Sequence, residues 1–324
     1  MNAMLKRFAR ATGLAAAVAA GSLAQAQGFP EKPITFVVPF GAGSGTDQEA
    51  RTYAQALTDE FKTVIVVDDR AGASGMLAAS YVARAAPDGY TLLVTTNTTQ
   101  AANPYFFKKL PYDPVKSFAP ITLLGKGQMM LLVPPESPFK TVADLIAAAR
   151  KAPGQLHFGS GSSSSRVGGE ALKQLTGTDM VNVPYKSNPM GLTDLIGGRL
   201  DFMFADGPTA LPQVRGGKLR ALAVSGTKRM AAAPTVPTVA EAGVKDYDVT
   251  YWTAIYAPAG TPAPVIEKLN EMFRKVAGAS NVTAYEASTS SQQEMSTSEG
   301  LAKFQAEEMQ KWGRIVRAAG IEPE

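Results

Sequence analysis

"ITFVVPFGAGSGTDQEARTYAQAL", residues 34–57, joins a short apolar run to a helical pattern through Gly41, Gly43 and Gly45. The run is rich in β-branched and aromatic residues and is closed by Pro39, so it reads as a buried strand. A glycine-rich passage from strand to helix leaves amide N–H groups unpaired at the positive end of a helix dipole. That setting suits a nucleotide phosphate, another anion, or a plain turn with Thr46 and Asp47 as helix caps.

The alternation continues along the chain. "VIVV" leads into helical 74–86, and "TLLVTT" leads into a polar turn at Asn97 and a helix. Repeated strand and helix imply βαβ units and a parallel sheet. A second series follows "APITLLGKGQMMLLVPP", read as two strands meeting end to end around Gly125-Lys126-Gly127. It runs through helical "TVADLIAAARKA", strand "LHFGS", helix 164–176, strand "MVNVPY", helix 189–197, and strands "LDFMFAD" and "LRALAVS". After the extended run "VTYWTAIYAPAGTP" come helices over 262–279 and 298–319, the last with Leu301, Phe304, Met309, Trp312, Ile315 and Val316 near one face. Two crossings, near 125–128 and 248–253, divide the chain into a first domain of 27–126 with 251–324 and a second of 127–250. A cleft between lobes joined in this way gathers strand ends and helix starts.

Residues 1–26 have the form of a cleaved export signal, with Lys6, Arg7 and Arg10, an apolar stretch, and Ala24-Gln25-Ala26. The apolar part falls short of the roughly 20 residues of a membrane span. Losing three basic residues takes the formal +4 to about +1, and no basic tract or aromatic platform points to nucleic acid. The chain has no cysteine and one histidine, His157. That composition excludes disulfides, thiolate metal sites and a multi-histidine zinc site. A soluble periplasmic protein, monomeric and without cofactor or metal, is expected.

Enzyme motifs fail on spacing. From Gly41 the dinucleotide fingerprint meets Thr46 at its third glycine, and from Gly43 it meets Gln48; only Asp68 and Asp69 after the second strand favour it. Gly125-Lys126 and Gly217-Lys218 lack the hydroxyl residue of a P-loop. Gly72-Ala73-Ser74-Gly75-Met76 misses the last glycine of a nucleophile elbow. His157, between Leu156 and Phe158, reads as structural, and Glu307-Glu308 as solvated charge. No catalytic residue is assigned.

Three loops instead combine strand ends, small residues and hydroxyls: Gly41 to Asp47, Thr95 to Gln100, and Gly159 to Arg166. Each offers free amides without fixed charge. The expected ligand contacts are Phe40, Gly41, Gly43, Ser44, Gly45, Thr46, Asp47, Thr96, Asn97, Ser160, Ser162, Ser163, Arg166 and Asp206. Arg166 offers a direct carboxylate partner and Trp252 an apolar wall; for Asp206, contact with a ligand hydroxyl or amine competes with capping of the helix that follows.

At these residues the chain resembles the Bug-type receptors of tripartite tricarboxylate transporters. The likeness is carried in order by "EKPITFVVPFGAGSGTD", "AAPDGYTLLVTT", "LPYDPVKSFAPITLL", "LTDLIGGRLDFMF", "GKLRALAVSGTKR", "PTVPTVAEAG" and "IYAPAGTPAPVIEKLN". The resemblance implies a two-lobed type II periplasmic-binding-protein fold with a two-stranded hinge. It further implies capture of a small mono- or dicarboxylate, aromatic bodies included, for delivery to a two-component membrane permease. In it, the loop from Phe40 to Asp47 grips one carboxylate through amides and waters. Thr95 to Thr98 and Gly159 to Ser163 add polar contacts, and Asp206 contributes from the second lobe. Two segments depart from the family pattern. The serine-rich loop is about two residues shorter and ends in Arg166-Val167, and "RAGASGMLAA" replaces the usual "RPGAGGNIGA". Arg166 would favour a second carboxylate on the ligand. A ligand-sensing receptor for a membrane signalling partner is the alternative function, followed by a secreted enzyme dependent on Asp47 or His157.

Overall fold

The computed structural model describes residues 28–324, so the expected leader lies outside the described residues. Three strands open the fold: β1 (Ile34–Val38), β2 (Ile65–Asp69) and β3 (Thr91–Thr96), parallel with β1 in the middle. β1 shows why the run is apolar on both sides. Ile34, Phe36 and Val38 enter one core cluster and Val37 enters another, as strand alternation in a doubly covered sheet requires. Phe36 stacks on Phe273 of α8 (Ala263–Val276) with ring centroids 5.8 Å apart.

Two long strands join this part to the rest. β9 (Thr250–Pro258) lies antiparallel between β3 and β4 (Phe118–Val133). The last residues of β4 pair with β7 (Phe202–Asp206) and β8 (Arg220–Val224). Beyond β7 lie β5 (His157–Ser160) and β6 (Val181–Pro184), both parallel to their neighbours. The order β2-β1-β3-β9-β4-β7-β5-β6 is α/β as expected, but the sheet is mixed rather than parallel throughout, because β4 and β9 run antiparallel to their neighbours.

Helices cover both faces: α1 (Gly45–Phe61), α2 (Met76–Ala83), α3 (Asn103–Phe106), α4 (Val142–Lys151), α5 (Ser163–Thr176), α6 (Asn188–Ile196), α7 (Gly207–Arg215), α9 (Ser280–Thr289) and α10 (Ser298–Ala318). The stripe expected on α10 is present, with Leu301, Trp312 and Val316 buried and Phe304, Met309 and Ile315 packed against the same core.

Three local expectations are corrected. β4 is one strand, not two; Gly125 and Gly127 do not break it, because irregular pairing with β9 at Pro120–Thr122 and Leu123–Gly125 absorbs the bend. Residues 280–297 form α9 and the short strand β10 (Gln292–Gln293), which pairs with β4. The Ser/Thr-rich sequence of α9 has poor intrinsic helix propensity, and tertiary contacts hold it. The helical stretch 74–86 instead begins with a 3₁₀ turn, Ala73–Gly75, held by a run of positive φ from Gly72 to Gly75.

Candidate functional site

Four helices start at one place. The N-termini of α1, α5, α6 and α7 converge on a small cavity whose wall includes Gly45, Thr46, Ser162, Ser164, Asn188, Asp206 and Pro208. Phe40, Ser44, Glu49, Thr96, Met129, Gly161, Tyr251, Thr253 and Tyr285 complete it. Among the described residues, no basic side chain lines the cavity. What it offers an anion is therefore the helix starts, where the first amides have no helix acceptor.

The loop before α1 is built to present those amides. Gly43 turns at φ 78°, and its N–H donates to Asp47 Oδ2 at 2.7 Å. Ser44 caps the helix, its Oγ accepting from the Asp47 N–H at 3.2 Å. Asp47 Oδ1 pairs with Arg51 Nε at 2.7 Å, and Arg51 reaches Asp69 at 3.2 Å. Asp69 is held near pKa 6 by burial and by the Asp47 charge, against the pull of Arg51. Asp68 pairs with Arg70 at 2.7 Å, so the acidic pair, which closes β2 rather than following it, serves ion pairs.

Of the expected contacts, Phe40, Ser44, Gly45, Thr46, Thr96, Ser162 and Asp206 stand in the cavity wall. Gly41, Gly43, Asp47, Asn97, Ser160 and Ser163 lie behind it, in the loops that shape it. Gly41 passes close to Ser187, 3.3 Å from its Oγ to where a Cβ would sit. Asn97 spends both ends of its amide on the protein, donating to Ser164 Oγ at 3.0 Å and accepting from the Trp252 N–H at 3.4 Å. The Ser163 N–H donates to Thr98 Oγ1 at 3.3 Å, and the Ser160 carbonyl accepts from the Tyr185 N–H at 2.7 Å.

Two side chains point elsewhere. The Arg166 guanidinium pairs with Glu324 at 2.8 Å and lies over the Phe106 ring, outside the cavity wall. Trp252 is buried against Phe304, and its indole N–H donates to Glu308 Oε2 at 3.0 Å. Strand alternation explains the second case: Tyr251 and Thr253, its neighbours on β9, face the cavity instead. Glu308, read as solvated, is thus a hydrogen-bond acceptor for a buried tryptophan. His157 stands at the start of β5, the strand end opposite the cavity, with its backbone N–H donating to Asp201 at 2.7 Å.

Sequence reasoning missed Glu49, Asn188, Tyr251, Thr253 and Tyr285. Glu49 is buried one turn into α1, with Thr253 donating to its Oε1 at 3.1 Å. Burial raises its pKa to about 8, the Thr253 hydrogen bond opposes the rise, and Glu286 and Asp206 add to it. Asp206 caps α7, accepting from the Thr209 N–H at 3.2 Å and from Asn188 Nδ2 at 2.5 Å. Burial pushes its pKa up, and these hydrogen bonds pull it back. Tyr285 donates to the Gly45 carbonyl at 3.1 Å, and Tyr251 lies where Gly127 leaves room for its ring. The signal available in the sequence was spacing: Glu49 shares the stripe of Tyr53 and Leu57 on the buried face of α1.

The tripartite tricarboxylate transporter family receptor model matches residues 49–321. A Rhodopseudomonas palustris protein solved with adipate is 32% identical, with a TM-score of 0.88 over 91% of this chain and 100% of that one. MatC from the same organism, solved with bound malate, is 31% identical, with a TM-score of 0.83 over 89% of this chain and 100% of its own. The protein BugT of Bordetella pertussis is 30% identical over 321 residues, 98% of this chain and 97% of BugT. With this match running through nearly all the described sequence, and with the solved periplasmic binding protein BugD also similar to it, at 28% identity and a TM-score of 0.87, the chain belongs to the tripartite tricarboxylate transporter receptor family.

Proposed function

We propose that this protein captures a small organic carboxylate in the cavity between its two sheet halves, in the periplasm, and delivers it to a two-component membrane permease. The observation that carries the reading is the convergence of four helix starts on a cavity that no basic side chain lines among the described residues. Such a surface stabilises an anion through amides and dipoles alone. Relatives solved with adipate and malate support the ligand class.

Residues 27–126 with 251–324 form one lobe in this reading, and 127–250 the other. They turn about the paired crossing where Lys126 meets Trp252 and Gln128 meets Thr250. A ligand held by α1 from one lobe and by α5 to α7 from the other closes them, because only the closed form offers both sets of contacts. The protein works as a monomer, catalyses no reaction and requires no cofactor.

A thermal-shift screen of the mature protein against dicarboxylates, aromatic acids, hydroxy acids and amino acids tests this. At least one class is expected to raise Tm in a concentration-dependent way. Uniform failure would overturn it.

A further inference from the structure

The cavity holds hydrogen-bond acceptors that a plain carboxylate cannot satisfy. Glu49 and Asp206 are both buried there, from opposite halves of the sheet, with no cation in the wall. Thr253 is the one side chain among the described residues that donates to Glu49. The third acceptor is Asn188 Oδ1, buried in the same wall and without any hydrogen-bond partner. Asn188 Nδ2 donates to Asp206 Oδ2, which leaves the amide oxygen facing the other way. A buried acceptor without a donor is costly, and this one, beside two buried carboxyl groups, calls for a ligand that brings donors.

Resting on the carboxylate reading above, we propose that the ligand also carries a cationic nitrogen. It would be an amino acid or similar zwitterion, with its carboxylate at the Gly45 and Thr46 amides and its nitrogen among Glu49, Asp206 and Asn188 Oδ1. Charge supports the assignment. A second carboxylate on the ligand would meet two buried acidic groups with no counter-ion, whereas an ammonium neutralises them and supplies up to three donors. Arg166, the one guanidinium expected to balance a dicarboxylate, is directed at Glu324 instead.

The groups that face Glu49 across its packing neighbours are Asp206 from β7, Tyr251 from β9, Glu286 and Tyr285 from α9, and Tyr53 from α1 itself. None is basic, so among the described residues no group facing Glu49 substitutes for the cation. With burial holding the empty site's Glu49 protonated up to about pH 8, entry of an ammonium displaces that proton.

Isothermal titration with matched acids tests the proposal: aspartate against succinate and malate, glutamate against glutarate, and 4-aminobutyrate against butyrate. In at least one set the nitrogen-bearing member is expected to bind at least ten times more tightly, and more tightly still as pH rises from 6 to 8. Glu49→Gln is expected to bring that ratio close to one. If nitrogen-free acids bind as well or better, the proposal falls while the carboxylate reading stands. If no acid of either kind binds, both fall. An affinity that declines as pH rises would mean that protonated Glu49 donates to the ligand, and would also overturn the proposal. The wild-type comparison decides the matter even if Glu49→Gln fails to fold.

Discussion

Gly45→Ala inserts a methyl group at the seam between the two halves of the sheet. A Cβ at this position would stand 3.1 Å from Asp206 Cγ and 3.3 Å from Pro208 Cγ, with Asp206 Oδ1 closer still. Asp206 is tied by Asn188 and Thr209 and cannot swing aside freely. Pro208 is held in the first turn of α7. Overpacking of this kind costs about 1–3 kcal/mol. The cost is confined to the state in which α1 and α7 touch, because with the lobes apart the methyl meets only solvent and an alanine suits a helix. Affinity for a bound acid should therefore fall roughly 5- to 150-fold while the unliganded Tm changes little. Titration calorimetry reads the first quantity and thermal unfolding the second. Small-angle scattering should show less compaction on ligand addition than in the wild type. Unchanged affinity together with full compaction would refute the idea that the bound state brings Gly45 against Asp206.

Other outcomes follow from single contacts. Arg166→Ala should leave affinities for monocarboxylates and dicarboxylates within about twofold of wild type and cost at most about 1 kcal/mol of stability, since its partner Glu324 is largely exposed; a selective loss for dicarboxylates would return Arg166 to the site. Glu49 binds more protons folded than unfolded between its ordinary 4.5 and about 8. Its contribution to stability is therefore fully present below that range and is lost as pH rises through it, by on the order of 1 kcal/mol per unit at the steepest. Denaturant titrations from pH 5 to 8 should show that decline in the wild type and a flatter curve in Glu49→Gln; equal slopes would argue against a buried neutral Glu49. Ser74 sits at φ 49° in a left-handed turn. Ser74→Gly relieves about 1–2 kcal/mol of backbone strain and gives back about half in unfolded-chain entropy, so Tm should rise by roughly 1–3 °C in differential scanning calorimetry.

The passage from β1 to α1 was legible because its signals are local: β-branched residues, Pro39 and spaced glycines; the cap itself is Ser44, not Thr46 or Asp47 as expected, because the helix already starts at Gly45. The α/β alternation was legible for the same reason, and so was the apolar stripe of α10. What escaped depends on contacts far apart in sequence. Trp252 drew attention as a large aromatic, yet strand parity gives the cavity to Tyr251 and Thr253. Tyr285 arrives on a helix whose own residues scarcely favour one. Arg166, placed beside a serine-rich loop, looked like a ligand partner, but the chain terminus folds back and Glu324 takes its charge.

The place of β9 in the sheet has a consequence in time. Leu93 of β3 waits for Tyr256, and Lys126 of β4 waits for Trp252, so the seam between neighbours is filled by a segment made long after both. During synthesis the early strands lack that partner, and their exposed edges stay open until residue 258 has emerged. Pairings so distant in sequence form slowly. A chain arranged in this order cannot complete its sheet until most of it has been made.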